Sequence, residues 1–315
     1  MTIPAQTNGR AGPTVDIAVC TFRRPYLKRT MESLGRLDLP ASIDVRVIVA
    51  DNDVEPSARP LVESLARALP FDVQYVHCPA GNISVARNAC LDVCRSEFLA
   101  FIDDDEVAAA PWLRELLETA LATGADVVLG PVRALYDREA PDWMRRGDFH
   151  STRPVWVAGE IRTGYTCNTL MRMGAPSVRG RRFDLTLGRT GGEDTDFFTQ
   201  VHRDGGLIAF APDAWVEEPV PAGRTRLSWL AKRRFRSGQT HGRLLQERHG
   251  RFGNLGNVIL ATAKSGYCWA AAGVFFPSRP TSMAYALRGI MHAGVVGGLL
   301  GVQEIRQYGL KGAHI

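Results

Sequence analysis

The amino-acid sequence predicts an α/β fold in which a sheet is covered by helices on both faces, followed by a helical C-terminal extension. Three observations lead there. Over the first 130 residues, short runs rich in Val and Ile alternate with stretches of helical period. The runs are continuously apolar, as strands buried on both faces are. Polar and acidic groups follow the runs, at the strand ends where such sheets bind ligands. A chain of 315 residues, 45% hydrophobic and 23% charged, is large enough for a sizeable core. That composition excludes global disorder, collagen-like repetition and a disulfide scaffold.

In chain order, the polar segment 1–14 reads as a disordered tail with no apolar signal core. Strands are predicted over 15–20, 45–50, 73–76, 98–102 and 127–129, and helices over 26–37, 57–69, 83–94 and 112–122. The strands run into Thr21-Phe22-Arg23-Arg24, Asp51-Asn52-Asp53, His77-Cys78-Pro79 and Asp103-Asp104-Asp105-Glu106. Residues 132–164, with Trp, Pro, Arg and Asp, have the look of a binding loop or lid. Regular structure is expected again over 165–171, as a helix over 193–202 and as a strand over 207–210. No internal repeat is visible. The six cysteines show no CxxC spacing, so reduced thiols are expected. Cys90 and Cys94, one helical turn apart, read as small core residues rather than a metal pair.

Four acids in a row after a buried strand repel one another, by roughly 4 kcal/mol for two carboxylates at about 4 Å and an effective dielectric near 20. A hard cation such as Mg²⁺ or Mn²⁺ relieves that repulsion. The other reading is that these acids cap the helix opening near Pro111-Trp112.

Six short motifs stand in order along the chain: Asp16-Ile17-Ala18-Val19-Cys20-Thr21-Phe22-Arg23-Arg24, Val49-Ala50-Asp51-Asn52-Asp53, Gly81-Asn82-Ile83-Ser84-Val85-Ala86-Arg87-Asn88, Phe101-Ile102-Asp103-Asp104-Asp105, Gly192-Glu193-Asp194 and Arg233-Arg234-Phe235. Together they resemble the family 2 glycosyltransferases. The resemblance spans residues 15–240 and is similar to bacterial succinoglycan and exopolysaccharide enzymes. It implies the GT-A fold, a Rossmann-like mixed sheet flanked by helices. It also implies an inverting, metal-dependent hexosyltransferase using a nucleotide-diphosphate sugar, UDP-linked, on a lipid-linked or surface-polysaccharide acceptor. The domains that follow are 15–225 as catalytic domain, split into a nucleotide-binding half (15–130) and an acceptor half (131–225), and 226–315 as a basic, apolar extension.

The resemblance implies roles residue by residue. Thr21, Phe22 and Arg24 line the nucleotide turn, Asp51 contacts the base, and Asp53 is placed at the ribose. Asp103 and Asp104 face the nucleotide sugar, and Asp105 with Asp103 holds Mn²⁺ or Mg²⁺. Asp194 is the general base and Glu193 orients the acceptor. Arg233 and Arg234 grip diphosphate, for which guanidinium forks are suited. Arg87 and Asn88 open a helix whose N-terminus favours anions, although an ion pair bracing the acidic strand end is an equal role for Arg87. Relatives place a metal-ligating His after the strand at 207–210, where this chain has Asp213, Trp215, Glu217 and Glu218, and His241 is only a distant candidate. Trp143 and Trp156 are read either as sugar-stacking platforms or as aromatics buried under a loop.

Charge is concentrated. Nine Lys or Arg lie between Pro221 and Phe252 against one acid, Glu247, in a chain of net charge +5, so the remainder is slightly acidic. Diphosphate binding and attraction to anionic lipid both explain this segment, and nucleic acid is not expected because no recognition module accompanies it. The uncharged runs 265–278 and 289–303 are shorter than the roughly 20 residues of a spanning helix. Interfacial or re-entrant helices at the cytosolic face of the cell membrane, or a helical pair packed on the domain or in a dimer interface, are the alternatives. A sugar nucleotidyltransferase would need a Gly-rich phosphate loop where Thr21-Phe22-Arg23-Arg24 stands, and a non-enzymatic membrane adaptor would leave the acidic motifs without a role.

Overall fold

A computed structural model describes residues 12–249 and 254–302, the side chains of 247–249 excepted. Most of the predicted N-terminal tail, Arg251 and the side chain of Arg248 lie outside the described residues.

The first half alternates as expected: β1 (Thr14–Thr21), α1 (Leu27–Leu34), β2 (Asp44–Asp51), α2 (Arg59–Ala66), β3 (Asp72–His77), α3 (Ile83–Val93), β4 (Phe98–Asp103), β5 (Val107–Ala108), α4 (Trp112–Thr123) and β6 (Val127–Leu129). The chain continues with β7 (Val132–Tyr136), α5 (Asp142–Gly147), β8 (Trp156–Val157), β9 (Glu160–Ile161), β10 (Asn168–Arg172), α6 (Glu193–Arg203), β11 (Ile208–Phe210) and β12 (Val216–Val220). Three helices close the described chain: α7 (Leu227–His249), α8 (Leu255–Val274) and α9 (Arg279–Leu299). None of them is long and apolar enough to cross a membrane.

The main sheet has the order β11-β6-β10-β4-β1-β2-β3. β1 to β4 are parallel, whereas β10 runs antiparallel between β4 and β6, so the sheet is mixed. A second sheet, β5-β12-β7, stands beside it. Side-chain alternation sends Val15, Ile17 and Val19 to one face, under α1 and α4, and Ala18 with Ile48 and Ala50 to the other, under α3 and α6. The segment expected to be an irregular lid holds β7, α5 and the β8-β9 hairpin, and its Trp143, Met144 and Phe149 pack against Leu230 and Leu287 of the terminal helices. α7 and α9 cross at backbone contact: a Cβ on Gly238 would stand 2.0 Å from the Met291 carbonyl oxygen, and one on Gly294 2.0 Å from that of Phe235.

One carboxylate lies inside the central strand. Asp16 is fully buried and accepts a fork from Arg46 Nε and Nη2 at 2.8 and 2.7 Å, with the Arg95 amide at 2.8 Å. Burial opposes its charge, but these donors outweigh burial and hold the carboxyl below its ordinary range. A depressed carboxyl stabilises the fold above its unfolded pKa, and that contribution is lost as pH falls through the folded value. Asp16→Asn is therefore expected to lower unfolding free energy at neutral pH by about 2–4 kcal/mol. Urea denaturation should show the gap from the parent narrowing once pH drops below about 4.

Candidate functional site

Parallel register brings the motifs to one edge. Thr21 lies opposite Asp51, and Cys20 opposite Asp103, at the point where strand order reverses between β1 and its neighbours β2 and β4. Thr21 Oγ1 donates to Asp104 Oδ2 at 2.6 Å. Arg24 stands 3.8 Å from Asp104 and 3.7 Å from Asp105. Arg23 adopts a left-handed φ of 55° and is held there by a 2.8 Å ion pair with Asp53, its guanidinium 5.5 Å from the centre of the Phe22 ring. That pair keeps the Asp53 carboxyl below its ordinary range. Asp51 is buried and accepts from the Asp53 amide (3.1 Å), the Ala58 amide (2.9 Å) and the Tyr75 hydroxyl (2.7 Å). Most of the acceptor capacity expected for a nucleotide base is thus spent on shaping the loop after β2. A cavity of about 330 Å³ opens between Thr21, Arg23 and Arg24 on one side and Ser57, Ala58 and Leu61 on the other. A larger one, about 440 Å³, lies between α3 and residues 182–185 and is lined by none of the acids from Asp103 to Glu106.

The acids after β4 fold back on themselves: the Asp103 amide donates to Glu106 Oε2 at 2.9 Å. Burial pushes the Asp103 carboxyl up to about 7 and drives Asp104 and Glu106 in the same direction, as it does Glu218 of β12. Arg224, which sequence reasoning counted only as part of a basic run, bridges two of these acids: it lies 2.5 Å from Glu218 and 3.7 Å from Asp105. Its guanidinium is 5.7 Å from the centre of the Trp229 ring, and that of Arg233 is 5.4 Å from the same ring. Burial lowers the Arg233 pKa while Glu218 supports its charge. Arg234 turns elsewhere, donating to the Phe149 carbonyl at 3.3 Å. His150 fixes this corner. Its Nε2 donates to the Arg224 carbonyl at 3.0 Å, its Nδ1 accepts from Tyr136 at 2.8 Å, and its ring stacks on Trp229. Burial pushes its pKa down to about 4, matching a neutral ring.

The donor set suits a hard divalent cation. Asp103 and Asp105 offer carboxylate oxygens, and burial works against an uncompensated charge on Asp103. Among the described residues no group of three or more His, Cys, Asp or Glu stands ready to hold a metal. Mg²⁺ and Mn²⁺ are commonly held by one or two carboxylates, with phosphate oxygens and water completing the shell. Burial, and then Lys264, lower the pKa of His241, and none of the acids after β4 is among the groups that act on it.

Across the sheet, α6 begins with Glu193 and Asp194. Its N-cap, Gly192, has a φ of 92°, and a Cβ there would lie 2.6 Å from Thr240 of α7. α7 is also tied to this loop by Arg236, which donates to the Thr190 carbonyl at 3.1 Å. Glu193 Oε1 pairs with Arg87 of α3, both residues buried, while Glu193 Oε2 is buried without a hydrogen-bond partner. Burial works against the Arg87 charge, but Glu193, Asp194 and Asp103 together hold it above its ordinary range. One guanidinium therefore lies in the field of both acidic motifs. Asp194 Oδ1 accepts from the Thr195 amide at 2.6 Å.

The remaining residues singled out in the sequence take structural contacts. The start of α3 offers no anion site: the Asn82 side chain accepts from the Ser84 and Val85 amides, and the Ile83 amide donates to the Gly188 carbonyl. Asn88 clamps the backbone of Phe183 with both amide atoms. Trp143 is buried against Phe149, whereas Trp156 stands exposed on the β8-β9 hairpin. Cys90 faces Cys20 inside the core, 3.9 Å away.

Residues 16–177 match the model of Glycosyl transferase family 2. The chain is 61% identical over 297 residues to Succinoglycan biosynthesis protein ExoM of Rhizobium meliloti (strain 1021), which covers 94% of this chain and 96% of that one. Glucosyl-dolichyl phosphate glucuronosyltransferase of Haloferax volcanii is 26% identical over 258 residues, covering 71% and 75%. Among solved structures, S. aureus TarS 1-349 in complex with UDP aligns with a TM-score of 0.53 and 17% identity, covering 91% of this chain and 92% of that one. The alignment spans 52% of a longer TarS chain. At such identity the likeness concerns the fold alone.

Removing one member of the Arg87–Glu193 pair leaves the other buried and uncompensated. Arg87→Met and Glu193→Gln are each expected to cost about 3 kcal/mol or more, and the double variant much less than their sum. A denaturant double-mutant cycle measures this, and additive losses would dissociate the pair.

Proposed function

The chain belongs to glycosyl transferase family 2, and on that premise we propose that it moves a sugar from a UDP-sugar to a saccharide or lipid-linked acceptor. The reaction is one inverting displacement at the cytosolic face of a membrane, in the building of a surface polysaccharide. The observation that carries this reading is the convergence on Arg87 of Asp103 from one motif and Glu193 with Asp194 from another, about 90 residues later. The name of the Rhizobium relative supports the polysaccharide, that of the Haloferax relative a lipid-linked acceptor, and the UDP complex of TarS a uridine donor.

In this reading the turn of Thr21, Phe22 and Arg24 and the cavity beside it receive the nucleotide. Asp105 and Asp103 would hold Mg²⁺ or Mn²⁺, which would supply charge neutralisation at the diphosphate. Arg224 and Arg233, gathered over Trp229, supply guanidinium donors to the same phosphates, Arg224 exchanging its contacts with Glu218 and Asp105 for phosphate oxygens. Glu193 Oε2, lacking a partner, orients the acceptor hydroxyl. Asp194 takes the hydroxyl proton as the oxygen bonds to the anomeric carbon and the bond to diphosphate breaks.

Asp194→Asn tests the assignment. Transfer from a panel of UDP-sugars to lipid-linked saccharide is expected to fall about 10²–10⁴-fold while UDP binding persists. Near-parental transfer would remove Asp194 from the mechanism.

A further inference from the structure

α8 is built inside out. The residues it buries against α9 are small, Ala261, Ser265 and Cys268, and Ser265 Oγ donates to the Gly289 carbonyl at 2.9 Å. Its large apolar side chains face away from the protein. Leu255 (68% exposed), Ile259 (62%) and Tyr267 (69%), with Ala263, Ala270 and Val274 (75%), recur at helical spacing along one stripe. Phe276 (79%) extends it into the turn before α9. A helix packed on a water-soluble domain places such residues inward, and a contiguous apolar surface of this kind marks a docking site.

The charges around the stripe select the occupant. From residue 255 to 302 there is no Asp or Glu, and the charged side chains are Lys264, Arg279 and Arg288. Tyr267 and Trp269 add the amphipathic aromatics that favour a membrane interface. A protein partner of mixed polarity would meet no acids here to set its register, whereas anionic headgroups are matched by the flanking bases. Residues 303–315 carry Glu304, Arg306, Gln307 and Lys311, which makes them a poor apolar cover for the stripe.

We infer that the outer face of α8, with the α8–α9 turn, is a lipid-docking surface that seats the chain on an anionic bilayer without spanning it. The inference deepens the proposed reading and rests on it in so far as the acceptor is lipid-linked. The helix stack carries the consequence to the site: α8 packs on α9, α9 crosses α7, and α7 presses on Gly192 at the start of the Glu193-Asp194 helix. A docked chain therefore holds its acceptor-side loop at a fixed relation to the membrane.

The test is co-sedimentation of the full chain with phosphatidylcholine vesicles containing phosphatidylglycerol, against phosphatidylcholine alone, with UDP calorimetry on the same preparations. The parent is expected to bind anionic vesicles more tightly. Ile259→Glu/Phe276→Glu should weaken that binding at least about tenfold while UDP binding is kept, and Lys264→Glu should reduce the preference for the anionic lipid. If the double Glu variant fails to fold, Ile259→Ser/Phe276→Ser is expected to show a smaller loss of the same kind. The inference is overturned if the parent ignores both vesicle types, or if the double variant binds as the parent does. It is equally overturned if the parent is a dimer that the variant dissociates without vesicle binding, since a second copy then covers the stripe. Loss of UDP binding with vesicle binding intact would count against the donor reading instead.

Discussion

Arg87 and Glu193 form an ion pair out of contact with water, and much of the site's geometry hangs on it. The arginine belongs to α3, in the half that begins the sheet, and the glutamate opens α6, in the half that completes it. Two charges withdrawn from water are tolerable only when they meet, so the pair fixes how the two halves stand to each other. Asp103 and Asp194 act on the same guanidinium, which places the end of β4 and the start of α6 in one electrostatic neighbourhood.

Around that pair the site is a balance of buried acids and borrowed arginines. Asp103, Asp104, Glu106 and Glu218 are all pushed towards their protonated forms by burial, while Arg24 and Arg224 reach in from loops to offset them. Such an arrangement is costly in the free protein and would be relieved by a ligand that brings both cation and phosphate. The C-terminal helices take part in this balance: α7 contributes Arg233 and the Trp229 ring, and its Thr240 backs Gly192.

The strands were legible because buried parallel strands leave an unbroken apolar signature, and β1 to β4 fall where the Val and Ile runs predict them. The second sheet was not, because β5 has two residues and β12 reads Val-Glu-Glu-Pro-Val, with no run to notice. For the same reason the bridge from Glu218 through Arg224 to Asp105 escaped sequence reasoning: it joins positions distant in the chain, and its only signal was a basic residue following paired acids. At the start of α3 a helix N-terminus suggested anions as one reading. Its first-turn amides are instead taken by the Asn82 cap, a local contact, and by the Gly188 carbonyl, a tertiary one that chain order does not show. Trp143 reads alike as platform or core, and only the approach of Phe149 and Leu230 decides for core.

The account turns on a metal-assisted nucleotide-diphosphate site at the carboxyl edge of β1, β2 and β4. Calorimetry of the full chain with UDP, with Mn²⁺ and after chelation, tests it most directly. The account predicts UDP binding that strengthens markedly with Mn²⁺ and is lost to Asp105→Asn. Absence of metal-dependent binding for UDP and for every other nucleoside diphosphate would contradict it.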